Sequence, residues 1–233
     1  GVPITDLNAG FYGAYGTLCA YIHRLKTGRG QFVDTSLLEG GIASTFWESA
    51  IYFATGENPV PMGSAHRLSA PYQAFATADG HLNIGAANQA NWVRLCRAID
   101  REDLLEDPRF ASNPERMVNL QALAETLDET FSQEPTAHWL EILAAAAVPS
   151  GPLYSFSQVY DDPHVQARGM DVETEHPTAG RVRNIGIPVK LSETPGTIRR
   201  SAPALGQHTD EILSEFGYGE AEIVQLRDSG ALG

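Results

Sequence analysis

The stretch GVPITDLNAGFYGAYGTLCAYIHRLKTGRGQFVD, residues 1–34, sets an aspartate at the mouth of a glycine-spaced helix that ends in a basic turn and runs into a strand. Leu7, Phe11, Tyr15, Leu18, Ile22 and Leu25 recur at helical spacing and mark one face over residues 7–26. Gly10, Gly13 and Gly16 lie along the same helix, and each costs roughly 1 kcal/mol relative to alanine. Close approach of another backbone, or of a ligand, would offset that cost. Arg24 and Lys26 complement the last carbonyls, and Gly28 suits the left-handed cap. Asp6 reads as the N-cap, where backbone N–H groups and the positive end of the helix dipole hold a carboxylate in one direction. A structural cap and an oriented carboxylate nucleophile look the same at this level, and both readings stay open.

Outward from this stretch, residues 31–35 read as a short strand and residues 37–54 as one largely apolar helix closed by Gly56. Pro59, Pro61 and Gly63 mark a boundary. Residues 72–77 and 81–85 flank Asp79-Gly80, a hairpin signal. Helices are expected at 89–99, 117–131 and 136–147, which makes a compact α+β unit. Residues 149–152 read as a connector, followed by short helices around 157–160 and from Pro163. Strands are expected at 170–175 and 185–191 around the Ala179-Gly180 turn, then helices at 209–216 and 220–229. There is no internal repeat and no low-complexity tract.

With 233 residues, 42% hydrophobic and 19% charged, the chain has the composition of a globular protein of one large or two small domains. A net charge of −13 argues against nucleic acid or an anionic membrane as a partner. No window approaches the roughly 18 apolar residues of a membrane span, and no signal peptide is recognised, so a cytoplasmic location is expected. Cys19 and Cys96 fall in apolar helical patterns and read as buried free thiols. No spacing suits a metal, and none is expected. The chain starts at Gly1 without an initiator methionine, inside what reads as a catalytic loop. That is expected either of a chain from which something has been removed or of part of a longer protein.

The fragments GVPITDLNAGFYG, HRLKTGRGQFVDTSLLE, APYQAFATADGHLNIG, WVRLCRAI, DPRF, VPSGPLY, DDPHVQARGM and LGQHTDEILSEFGY follow one another along the whole chain. In this order they resemble the class III (CaiB/BaiF) coenzyme A transferases, which include formyl-CoA-transferase-like enzymes and the related α-methylacyl-CoA racemases. The resemblance covers the C-terminal three-fifths of such proteins. It implies an α/β fold, here an α+β fragment: residues 1–60 as the large-domain catalytic loop, helix and strand, 61–146 as a small α+β domain, and 147–233 as a linker and return to the large domain. The first Rossmann-like units, which hold most groups gripping CoA, would lie outside these residues. Alone, the 233 residues should bind CoA poorly.

The resemblance places the family's nucleophile at Asp6. It implies a transferase moving CoA from an acyl-CoA to a small carboxylic acid, with CoA as substrate and no permanently bound cofactor. It also implies an interlocked homodimer. His66, Arg67, Ser69 and Tyr72 lie where the family's glycine-rich loop closes over the intermediate, although this loop has fewer glycines. His66 reads either as an exposed loop residue or, with Arg67 as counter-ion, as part of the acceptor site. Asp79 reads as a turn residue, Glu39 as a cap of the second helix, and His208 as a cap near the C terminus. Trp47, Trp92 and Trp139 read as core. Two rivals remain. One is a racemase, against which Ala76 stands where racemases carry an acidic residue. The other is a truncated, non-catalytic assembly module.

Overall fold

The computed structural model describes residues 1–232. The chain divides into two compact units, with the division between Arg67 and Leu68. The first unit holds α1 (Ile4–Thr27), α2 (Leu37–Ser44) and α3 (Phe46–Thr55). Helix α1 starts behind Pro3, which offers no side-chain cap. Asp6 is therefore not the N-cap. It sits inside the first turn, where a negative charge still meets the dipole favourably. At the other end Gly28 takes φ 75° and its N–H donates to the Arg24 carbonyl at 2.8 Å, as expected of a left-handed cap.

Residues 31–35 do not form the expected strand; they run without a ladder partner among the described residues. The expected helix over 37–54 is two helices, because the Thr45 hydroxyl turns back to the Ile42 carbonyl at 2.8 Å and ends the first. Ser36 caps α2, receiving the Glu39 N–H at 3.2 Å and donating to Glu39 Oε2 at 2.7 Å. Two readings of burial fail here. Cys19 is exposed, and Trp47 is 45% exposed, since no packed layer covers these faces among the described residues.

The second unit holds β1 (Tyr72–Ala76), β2 (His81–Gly85), α4 (Gln89–Ala98), α5 (Asp103–Glu106), α6 (Asn113–Val118), α7 (Leu120–Phe131) and α8 (Thr136–Ala145). After these come β3 (Ser150–Pro152), α9 (Phe156–Asp161), α10 (Pro163–Ala167), β4 (Asp171–His176), β5 (Gly180–Ile185), α11 (Thr209–Glu215) and α12 (Glu220–Asp228). Strands β1, β2 and β3 form an antiparallel sheet in that order, with Phe75 opposite Leu82 and Asn83 opposite Gly151. Residues 150–152, read as a connector, are thus the third strand; three residues are too few to show a two-residue period.

Alternation along β2 turns Leu82 and Ile84 inward. They meet Trp92 and Leu95 of α4 and Leu123, Leu127 and Phe131, which repeat every four residues along α7. Trp139 anchors α8 by donating its indole N–H to the Phe131 carbonyl at 2.8 Å. The expected helix over 117–131 breaks at Asn119 into α6 and α7. Asp79 does more than turn the hairpin. Its Oδ1 receives the Thr136 N–H at 2.8 Å and the Thr136 hydroxyl at 2.9 Å, capping α8 from outside, and these bonds hold its pKa below the usual carboxylate range.

Arg116 is fully buried in this core, where composition alone would put an arginine outside. Its Nε donates to the Ala70 carbonyl at 2.6 Å, and its Nη1 to the Phe110 carbonyl and Gln89 Oε1, each at 3.0 Å. The guanidinium lies 5.1 Å from the Trp92 ring centroid. Further on, β5 begins at Gly180, not at 185. Its register with β4 sets Glu173 opposite Arg183 and Glu175 opposite Arg181, with diagonal ion pairs from Arg183 to Asp171 at 2.5 Å and from Arg181 to Glu173, and so gives no apolar alternation to read.

Candidate active site

The first turn of α1 carries Asp6, whose side chain is exposed and accepts a hydrogen bond from the Thr5 hydroxyl at 3.1 Å. Among the described residues Asp6 takes part in no ion pair, so its carboxylate is not spent on a neighbouring cation. Starting the helix at Ile4 leaves the Thr5 and Asp6 backbone N–H groups without intrahelical acceptors. Such donors suit an oxyanion beside the carboxylate.

What fixes this turn is α2, through Gly40 and Gly41. A Cβ on Gly40 would lie 3.1 Å from the Ala9 nitrogen and 3.2 Å from the Thr5 carbonyl oxygen, and one on Gly41 3.0 Å from Thr5 Cγ2. The helices therefore touch backbone to backbone at the aspartate's own turn. Asn8 adds hydrogen bonds to the Gly40 carbonyl, at 3.4 Å, and to the Ser44 hydroxyl. The close approach expected of the α1 glycines is met at Gly16, where a Cβ would lie 2.7 Å from Val33 Cγ1, but Gly10 faces open space. The sequence reading missed Gly40 and Gly41. Two adjacent glycines inside an apolar helix were the available signal, at a cost that only packing repays.

His66 and Arg67 close the first unit. Arg67 Nε donates to Glu48 Oε1 at 2.6 Å and Nη2 to the Val60 carbonyl at 2.6 Å, so its charge is already balanced. The His66 ring meets the Trp47 ring edge to face, centroids 4.7 Å apart. Ser69 and Tyr72 belong to the second unit. Tyr72 opens β1 opposite Gly85 and lines a shallow groove of about 320 Å³ with Asn83, Ser150 and Gly151. Asp6 makes its hydrogen bond to Thr5 and Arg67 its own to Glu48 and Val60, so the two charged candidates do not pair. No cluster of three or more His, Cys, Asp or Glu side chains suited to a metal occurs among the described residues. No helix among them is long and apolar enough to cross a membrane.

The sequence pattern of CoA-transferase family III matches residues 1–209. The chain belongs to CoA-transferase family III. It is 35% identical over its whole length to the human succinyl-CoA:glutarate CoA-transferase, covering 53% of that protein. It is 32% identical to the acetyl-CoA:oxalate CoA-transferase of Acetobacter aceti, across 95% of this chain and 56% of the relative. The crystal structure of a CaiB/BaiF family protein from Brucella suis superposes with a TM-score of 0.77 at 31% identity, over 92% of this chain and 56% of that one. The mixed α/β fold is thus that of the family. The chain spans about half the length of the curated relatives it matches.

Proposed function

We propose that this chain is the aspartate-bearing part of a CoA-transferase, moving CoA from an acyl-CoA thioester to a short carboxylic acid with Asp6 as covalent carrier. The observation that carries the reading is the exposed, unpaired Asp6 carboxylate on a turn braced by Gly40 and Gly41. A carboxylate oxygen attacks the thioester carbonyl carbon, the C–S bond breaks, and a mixed anhydride forms as CoA thiolate leaves. The thiolate attacks the aspartyl carbonyl, releasing the donor as its carboxylate and leaving an aspartyl-CoA thioester. The acceptor carboxylate attacks that carbonyl, and the returning thiolate attacks the acceptor half of the second anhydride. Acceptor-CoA departs and Asp6 is a carboxylate again.

The relatives named for glutarate and oxalate support a short dicarboxylic acid as acceptor. In this reading His66 and Arg67, at the end of the first unit, belong to the acceptor site. The groups gripping the CoA nucleotide lie outside these residues, and the exposed apolar face of α1 is covered by further chain or by a second protomer. The test is trapping with hydroxylamine during turnover of succinyl-CoA by the full-length protein. An aspartyl hydroxamate at Asp6 is expected by mass spectrometry, and Asp6→Ala should lower kcat by about 10⁴-fold or more. Full activity in Asp6→Ala would remove the mechanism.

A further inference from the structure

Two consecutive residues of α3 hold two consecutive residues at the end of the 57–67 loop. Trp47 meets the His66 ring at 4.7 Å, and Glu48 takes the Arg67 Nε–H at 2.6 Å. Arg67 also reaches back along the loop to the Val60 carbonyl at 2.6 Å, tying its start to its end. The loop adds a turn of its own, the Ala65 N–H donating to the Met62 carbonyl at 3.1 Å. The Arg67 side chain is largely covered, at 20% exposure, while the Glu48 side chain is 37% exposed. Glu48 Oε2 is nonetheless a buried atom, and it too lies 2.6 Å from Arg67 Nε, so the guanidinium faces both carboxylate oxygens. A carboxylate drawn into such a place is held there by its partner, and a guanidinium fork loses little freedom in gripping it.

We infer that Glu48 is a positioning residue for the acceptor site: acting through Arg67, it holds the loop so that His66 is presented in one place. This rests on the proposed CoA transfer, but its physical core, the clamp, does not. A loop with prolines at 59 and 61 and little secondary structure is otherwise free to take many forms. Fixing it before substrate arrives removes an ordering cost that would otherwise weaken acceptor binding. Glu48 touches no reacting atom in this scheme. Its loss should raise KM for the acceptor acid and leave the first half-reaction, donor thioester with Asp6, unaltered.

The experiment uses the full-length protein carrying Glu48→Ala, Glu48→Gln, Arg67→Ala and the Glu48→Ala/Arg67→Ala pair. Hydrogen–deuterium exchange across residues 57–67 is read first. Exchange should rise in Glu48→Ala and be largely restored in Glu48→Gln, which keeps an Oε1 acceptor. Unchanged exchange would overturn the clamp whatever the protein catalyses. Steady-state kinetics with glutarate as acceptor should then show KM raised roughly tenfold in Glu48→Ala, with little added by the second substitution, because the two residues act as one unit. Additive effects, or a lowered KM from unmasking Arg67, would overturn the positioning role. Hydroxamate trapping with donor alone separates the two failures. Absent adduct in the unaltered protein defeats the transfer reading, whereas normal adduct with unmoved KM and exchange defeats only the clamp.

Discussion

Helices α1 and α7 both repeat apolar side chains at helical spacing, yet only one of them buries them. Along α7, Leu123, Leu127 and Phe131 are sealed against β1, α4 and α8. Along α1, Phe11, Tyr15, Leu18, Ile22 and Leu25 remain open, and Ala20 is the residue it buries. The buried cluster of the second unit runs from Ala70 to Val148. Amphipathic periodicity therefore states which face needs cover, not whether this stretch of chain supplies it. The second unit closes on itself because β1–β2–β3 offers an apolar sheet face wide enough for α4, α7 and α8. The first unit offers α1 one short neighbour, and the contact with α2 is made through glycines that add no apolar area.

The largest test of this contrast is a pair of truncations in the chain as it stands. Phe131→Ala removes a ring packed 5.5 Å from Phe75 and 5.2 Å from Trp139, and should cost about 4 kcal/mol in urea unfolding followed by tryptophan fluorescence. Leu18→Ala, at a side chain 58% exposed, should stay within about 0.5 kcal/mol. Equal costs would break the comparison and mean that α1 is covered in solution. A smaller effect sharpens it within the first unit. Gly40→Ala forces a methyl against backbone atoms of α1, which cannot swing aside. About 2 kcal/mol should be lost, with faster hydrogen exchange over residues 4–10 and no change in the second unit.

The mildest probe is chemical. Burial pushes the Cys96 thiol up to about 12, so near neutral pH it stays protonated as well as enclosed, while Cys19 is exposed on α1. Iodoacetamide should label Cys19 in the native chain and Cys96 only after denaturant, as read by peptide mass. Slow labelling of Cys19 would again point to a covered α1.

The hairpin was legible because Asp79-Gly80 with alternating flanks has few other solutions, and β2 falls at the expected residues 81–85. The end of α1 was legible because Gly28 must take a positive φ there. Strand β3 was not, since its three residues owe their state to the edge of β2. The pairing of β5 hid behind charges, and the breaks at Thr45 and Asn119 left the apolar period intact. At the candidate site the sequence singled out Asp6 and the 66–72 segment, but misjudged how each is held. Asp6 was read as a cap when it lies inside the turn, and the reading of Arg67 as counter-ion for the acceptor did not include Glu48, which already engages it.

By itself, then, the sequence determined the family, the helical stretches and the carboxylate at the head of the first one, because local periodicity, turn chemistry and fragment order are carried by neighbouring residues. Tertiary structure alone decided that Gly40 and Gly41 brace that carboxylate's turn, that Asp79 caps a helix fifty-odd residues away, and that Glu48 engages Arg67. Each of those depends on side chains or backbones distant in sequence meeting at hydrogen-bond or van der Waals range. No one-dimensional pattern records such a meeting, because its free energy exists only once the chain has folded.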